Sequence, residues 1–366
     1  MPSDLIIEVC KIDKIMEHPK GDRLEILHIK GWQVVIGKGI CKPNMLVVYF
    51  PPDSLIPTTL SDKLGVTDYL SVRQYDGEPW GRVKTIKLRK EISYGFVAKI
   101  EDFGEYLNTI QVKEGDDLAT RLGIKKWEPP TRKEPGAQRI NNRQNTPGFD
   151  KYTDIQNIRN YNKVFEEGEL VVVLEKIHGT NSRVGVVKNP NKRWWKPWTW
   201  GKRLMAVVGS HNVERDLDDA IYSIPVKDDK LALLIHNLSS GVQEVIIYSE
   251  IYGKKVQDME YGLSDQQYAV FDIKVDGEYM TWDMVNIICK THDVPTVPTL
   301  YEGKFNWELV EKLSQGKTKM PMENPHIREG CVVKSAEEER HPKLGRKILK
   351  FINDAYLLRK KGTENH

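Results

Sequence analysis

A chain of 366 residues is long enough for two domains with separate cores. Its 39% hydrophobic and 29% charged content is that of a folded globular protein, and a net charge of +3 is too small to mark the whole chain as a binder of polyanions. No apolar run approaches the roughly 18 residues of a membrane span, no secretory signal is visible at the start, and the scattered Cys10, Cys41, Cys289 and Cys331 form no CxxC pair, which argues against zinc or a disulfide framework and fits a reducing cytoplasm.

Short β-rich segments open the chain at residues 5–12, 24–29, 32–36, 45–50 and 83–88. Turn formers at Pro19-Lys20-Gly21-Asp22 and Pro51-Pro52-Asp53 separate them, and this density of strands predicts a small barrel over residues 1–120. The basic stretch Arg82, Lys84, Lys87, Arg89 and Lys90 is either a phosphate-binding surface or a solvated face. Residues 121–149 are rich in proline, glycine and basic side chains, with Pro129-Pro130, Pro135-Gly136 and Pro147-Gly148, and read as a flexible linker. A short helix is expected over residues 152–161.

The second domain, residues 150–366, carries the most particular run of the chain. Residues 170–174 are a near-continuous apolar segment that delivers Glu175 and Lys176. Gly179-Thr180-Asn181 breaks it, and a second β-rich segment covers residues 182–187. Read as a buried strand, a tight turn and a returning strand, the run holds the Lys176 amine at the mouth of a sheet, beside a glycine that lets a ligand approach the backbone. Further strands are expected at residues 205–210, 245–252 and 268–275, and amphipathic helices at 231–235, 282–289 and 306–313. Glu250 stands alone among apolar and aromatic neighbours in VIIYSEIY; burying an unpaired carboxylate costs several kcal/mol, so it needs a ligand hydroxyl, a metal or a basic partner. In residues 191–201, Trp194, Trp195, Trp198 and Trp200 interleave with Lys192, Arg193 and Lys196, which suits either stacking on nucleic acid or a packed hairpin.

The string EKIHGTN at residues 175–181 resembles the nucleotidyl-acceptor motif of covalent nucleotidyltransferases, in the form used by RNA ligases. The front segments HPKGDRLEILHIKGWQVVIGKG, YFPPDSLIP and RVKTIKLRKEISYGF look like OB-fold modules, the last two like the amino-terminal OB domain of one RNA ligase family. Sixteen residues follow Lys350, too few for the trailing OB domain of DNA ligases and capping enzymes, so the domain order resembles the Deinococcus-type RNA ligases. The resemblance implies an α+β protein: an N-terminal OB-fold β-barrel, then an adenylyltransferase domain, ATP-grasp-like, of antiparallel sheets with flanking helices.

It also implies roles. Lys176 is the nucleophile that takes AMP from ATP, and Glu175, Ile177, His178, Gly179 and Asn181 line the nucleotide site around it. Glu250 resembles the ribose-binding glutamate and Phe271 the adenine-stacking aromatic, with Tyr268 as the alternative. Glu329, in EGCVVK, resembles the glutamate that binds metal, Mg²⁺ or Mn²⁺. Lys350 and Lys347 stand at the final lysine motif, although their spacing of three turns them to opposite faces of an ideal strand. Such a constellation adenylylates Lys176, transfers AMP to a 5′-phosphate, and joins that end to a 3′-hydroxyl. A lysine nucleophile must be neutral, and neighbouring positive charge from Lys350 and a metal favours that form. The implied partner is RNA at nicks in duplexes, in RNA repair, with the protein a cytoplasmic monomer. The competing readings are a DNA ligase, an mRNA capping guanylyltransferase and a catalytically silent RNA-binding protein.

Overall fold

The computed structural model describes residues 6–75, 77–107, 112–127, 145–190 and 203–359. In the front domain, Leu46–Phe50 lies between Glu8–Lys11 and Phe96–Lys99, and Leu24–Ile29 lies between Lys14–Glu17 and Trp32–Gly37. Side-chain alternation sorts the central strand: Val48 and Phe50 join Ile7, Val9 and Ala98 in one core, whereas Val47 and Tyr49 join Cys10, Leu27 and Trp32 in another. Thr85–Leu88 and Glu91–Tyr94 form a hairpin. It is held beside Trp32–Gly37 by Val35 N–H donating to Ser93 Oγ (3.0 Å) and by the Gln33 amide donating to the Ile92 carbonyl (2.9 Å).

Two expectations change here. The segment expected to begin the linker belongs instead to the front domain: Leu122 and Ile124 are buried in its core, Lys125–Lys126 adds a strand to Ser54–Pro57, and Arg82 stacks on Trp127 at 3.3 Å. Arg82 also pairs with buried Asp53, so this member of the basic stretch is structural. At the other end, residues 145–149 dock on the second domain through Asn145 and Phe149, and most of the expected linker between these anchors lies outside the described residues. The helix expected over residues 152–161 is replaced by a short strand, Gln156–Asn157, and a 3₁₀ turn, Ile158–Tyr161, because Gln156 and Asn157 add to the sheet edge beside Leu349 and Lys350. The tryptophan-rich segment lies outside the described residues.

The second domain consists of two sheets packed face to face. One runs Gln156–Asn157, Ile348–Ile352, Gly330–Ser335, Leu170–Lys176, Thr299–Lys304; the other runs Glu214–Arg215, Leu204–Ser210, Thr180–Lys188, Glu244–Gly253, Gln266–Val275, Glu278–Tyr279. Ile348 and Val332 of the first meet Val187, Val207, Ile246 and Tyr248 of the second. Helices Asp229–Leu238 and Trp282–Thr291 cover the far face of the larger sheet with Leu231, Leu234, Trp282, Val285 and Cys289, and Trp307–Ser314 covers the far face of the smaller one with Val310. Among the described residues no helix is long and apolar enough to cross a membrane.

The two domains share a core. Trp32 Nε1–H donates to Asn160 Oδ1 (2.7 Å), and Arg159, 6% exposed, donates to the Gly31 carbonyl (2.7 Å) and lies over Tyr94 and Phe351 at 4.6 and 4.5 Å. Tyr94 O–H donates to Asp354, which follows the strand that carries Lys350. A cation wrapped by rings and carbonyls at a domain junction fixes the orientation of both bodies.

Candidate active site

The strand ending in Lys176 and the strand that follows it are not a hairpin. Leu170–Lys176 pairs with Gly330–Ser335 and Thr299–Lys304, whereas Thr180–Lys188 pairs with Leu204–Ser210 and Glu244–Gly253 in the opposite sheet. Residues 177–179 therefore carry the chain across the cleft between the sheets. Apolar periodicity is the same for a hairpin and for such a crossover, so the sequence alone did not separate them. Glycine is required at the crossing: a Cβ on Gly179 would stand 2.2 Å from the Ile251 carbonyl oxygen.

Strand alternation then decides which side chains enter the cleft. Lys176 is in register with Gly330 and Ile352, Leu174 with Val332 and Lys350, and Val172 with Lys334 and Ile348. All share the inner face, so Lys176, Lys334 and Lys350 point toward the larger sheet. The intervening positions face outward. Glu175 is one of them: its carboxylate accepts from the Thr318 hydroxyl and, at 2.7 Å, from the Lys319 backbone N–H. Burial pushes its pKa up, and those two hydrogen bonds partly offset this. The expectation that Glu175 lines the nucleotide site is corrected accordingly for its side chain. Ile177 is likewise committed to the main core.

At the mouth of the cleft, Lys176 Nζ lies 2.7 Å from Glu329 Oε1, and Glu329 is 1% exposed. His178 Nδ1 lies 3.4 Å from Glu329 Oε2 and 3.1 Å from the Tyr356 hydroxyl. On the other side of the ring, Nε2 is 2.8 Å from Asp258 Oδ1, and Arg359 donates to the second Asp258 oxygen at 2.6 Å. Asp258 only accepts, so Nε2 carries a proton toward it. The His178 backbone N–H donates to the Tyr261 oxygen at 2.7 Å. Asp258, Tyr261 and Tyr356 were missed in the sequence: they come from a loop and from the one-turn helix Asp354–Leu357 after the last strand, too short for a periodic pattern to mark.

The larger sheet contributes Asn181 and Glu250, directly opposite one another in register. Glu250 joins no hydrogen bond or ion pair among the described residues. Burial pushes its pKa up to about 7; the Lys176 charge opposes the rise and Glu329 adds to it. Asn181 Oδ1 is buried without a hydrogen-bond partner among the described residues. A lone carboxylate and a lone amide oxygen facing a lysine are groups that a hydroxyl-rich or cationic ligand would satisfy.

Phe271 reaches the same face by a β-bulge. The register slips between Tyr248 and Ser249, so that Phe271 and Asp272 share the place opposite Tyr248. The Phe271 ring packs edge-on against Tyr152 at 4.9 Å. The alternative, Tyr268, lies on the outer face and donates to Asp228 at 2.5 Å.

Lys347 is not brought to this site. It pairs with Glu169 (2.7 Å) and Glu339 (3.3 Å) at the far end of the smaller sheet, because its backbone carbonyl bonds Ser335, five residues from the level of Lys176 and Gly330. Lys334, two alternations beyond Gly330, is a further lysine on the inner face. It lies 3.3 Å from Asp272, which is fully buried and also receives Arg346 (2.9 Å) and the Tyr152 hydroxyl (2.8 Å). Burial raises the Asp272 pKa, and Arg346 and Lys334 outweigh it, so the net direction is down. Asp272 thus bolts one sheet to the other. Asp272→Ala leaves two buried cations short of an anion and is expected to cost about 3–5 kcal/mol of stability, read as a fall in the urea midpoint.

The donor set fits a hard divalent cation delivered with a phosphate. Among the described residues no group of three or more His, Cys, Asp or Glu forms a complete cage. Mg²⁺ commonly takes only one or two carboxylates, with water and phosphate oxygens supplying the rest. Glu329 and Glu250, whose charges influence one another, provide that number.

The family model for RNA ligase matches residues 169–352, and an OB-fold domain model matches residues 6–100. Comparison with curated proteins gives no significant match. Among solved structures, Naegleria gruberi RNA ligase is similar throughout. An apo mutant superposes with a TM-score of 0.77 at 24% identity, covering 99% of this chain and 100% of that one. A mutant with ATP and Mn gives 0.76 at 24%, covering 97% and 99%. The enzyme with PPi gives 0.75 at 24%, covering 97% and 98%. At this identity the likeness speaks for the fold.

Proposed function

Since this chain belongs to the RNA ligase family, whose model spans half its length from the strand of Lys176 to that of Lys350, we propose that it is an ATP-dependent ligase that adenylylates Lys176 and joins a 3′-hydroxyl RNA end to a 5′-phosphate at nicks in duplexes. The observation that carries this reading is the contact of Lys176 Nζ with Glu329 at 2.7 Å, in a cleft that Asn181 and Glu250 enter from the other side. Several of the similar Naegleria structures contain ATP or AMP with Mn, which supports the same nucleotide and a divalent metal here.

The residues divide the work. Lys176 Nζ attacks the α-phosphorus; the bond to pyrophosphate breaks and a phosphoramidate forms. Glu329 holds the amine in place and, with Glu250, would be the carboxylate to hold a divalent cation accompanying the phosphates. A bound divalent cation supplies charge neutralisation at the phosphate oxygens. Lys350, on the same face one alternation along, adds a fixed positive charge for the same oxygens. Glu250 and Asn181 accept hydrogen bonds from the ribose, and Phe271 offers a face to the base. His178, fixed by Asp258 at Nε2 and beside the Tyr356 hydroxyl at Nδ1, packs against Glu329 and closes that side of the site.

Sealing of matched nicked duplexes, with RNA or DNA on each side of the break, tests the proposal. Sealing is expected to require RNA on the 3′-hydroxyl side. Equal sealing of an all-DNA nick would make the protein a DNA ligase, and labelling by GTP but not ATP would place it with the capping enzymes.

A further inference from the structure

The tip of the Thr85–Leu88/Glu91–Tyr94 hairpin is a two-residue turn made of Arg89 and Lys90, with φ of 46° and 82°. Both positions need left-handed backbone, which Asn-Gly accommodates and long side chains disfavour. A strained turn built from two cations directs attention to what the cations do. Lys87, Arg89 and Lys90 are all exposed, and none joins an ion pair or side-chain hydrogen bond among the described residues.

A second loop is tied to this tip. The ring of His18, 7% exposed, lies with Nε2 3.1 Å from the Leu88 carbonyl and accepts the Lys20 backbone N–H at Nδ1 (3.0 Å). Since Nδ1 accepts, Nε2 carries the proton and donates to Leu88. One imidazole thus fixes the Lys20 turn against the base of the hairpin tip and sets a fourth unpaired, exposed cation beside the other three.

Lys87 and Lys90 also line a cavity of about 730 Å³ between the two domains, together with Lys30, Gln33 and Trp307. Most of its acids are already engaged: Glu311 and Asp354 hold Arg159, and Glu167 accepts from the Trp307 backbone. Glu91 is the acid left beside the two lysines, and Asp22 is the one beside Lys20, so free positive charge prevails along the edge.

We propose that the hairpin tip and the His18-braced turn form one phosphate-binding surface, through which the front domain grips the backbone of duplex RNA next to the break. This rests on the RNA ligase reading and adds to it the side chains that hold the duplex. Backbone contacts of this kind position a duplex without reading its sequence, as a sealing enzyme requires.

The test is equilibrium binding of a nicked RNA duplex over a salt series. The variant combines Arg89→Asn with Lys90→Gly, which removes two cations and installs the pair that suits the turn. The slope of log affinity against log salt is expected to become shallower by about 2, with at least a roughly tenfold loss of affinity at low salt. The melting temperature is expected to hold or rise. Adding Lys20→Gln should remove about 1 more from the slope. An unchanged slope and affinity, or a loss of affinity at constant slope, would overturn the proposal. Self-adenylylation with ATP, measured alongside, separates the two ideas: if the unmodified protein fails there, the ligase reading falls, and if only the binding series fails, the surface falls alone.

Discussion

Glu250→Gln is expected to slow self-adenylylation by about 10²- to 10³-fold while stabilising the protein above pH 7. The two effects have one cause. Glu250 is held in a partly enclosed cleft with Glu329 for a neighbour, and burial lifts its pKa from an ordinary 4.5 to about 7. Below pH 4.5 the carboxyl is neutral in the folded and unfolded chains alike, and it contributes nothing to the balance. Between these two values the unfolded chain releases the proton and the folded one retains it, so stability falls as pH rises. Above pH 7 the folded protein carries the full cost of an unpartnered charge. Glutamine removes that cost, on the order of 2 kcal/mol once partial solvent access is discounted. Urea unfolding of both proteins at pH 5 and pH 8 measures it: the variant should gain at pH 8 relative to pH 5. The kinetic loss follows because an amide cannot supply the negative charge that a ribose hydroxyl or a metal ion would use. A variant equally stable at both pH values and equally active would remove Glu250 from the site.

Lys350→Met carries the second large effect. Lys350 is fully buried on the inner face, opposite Val332, one alternation from the level of Lys176. On the proposed mechanism, a cation kept there at the desolvation cost such burial entails would stabilise the charge that builds on the phosphate oxygens during transfer. Methionine retains the length and packing and removes the charge. Single-turnover labelling with ATP is expected to slow by about 10²-fold or more, a loss of roughly 3 kcal/mol in transition-state stabilisation, with ATP affinity changed much less. Equal losses in binding and rate would mean that Lys350 holds the ground state only.

The sequence exposed the parts of this site whose chemistry clashes with their surroundings. Glu250 was legible as a lone acid in an apolar strand, and Lys176 as an amine delivered by one. Alternation also foretold that Lys347 and Lys350 would part, since a spacing of three crosses the strand, and the same rule turns Glu175 away from its neighbour Lys176. The crossing between sheets was not legible, because an apolar strand has the same pattern whichever partner it takes. Nor were the supports of His178, since Asp258 comes from a loop and Tyr356 from a one-turn helix, neither sharing a period with it. The front domain showed its strands but not its extent: Leu122 and Ile124 are ordinary apolar residues inside a stretch whose prolines and charges dominate the composition.

The central claim is a phosphoramidate on one lysine. Purified protein incubated with ATP and Mg²⁺, then analysed by intact mass and by peptide mapping, is expected to gain one AMP on the peptide that contains Lys176, and Lys176→Ala to gain none. No added mass, or AMP on a different side chain, would contradict the account.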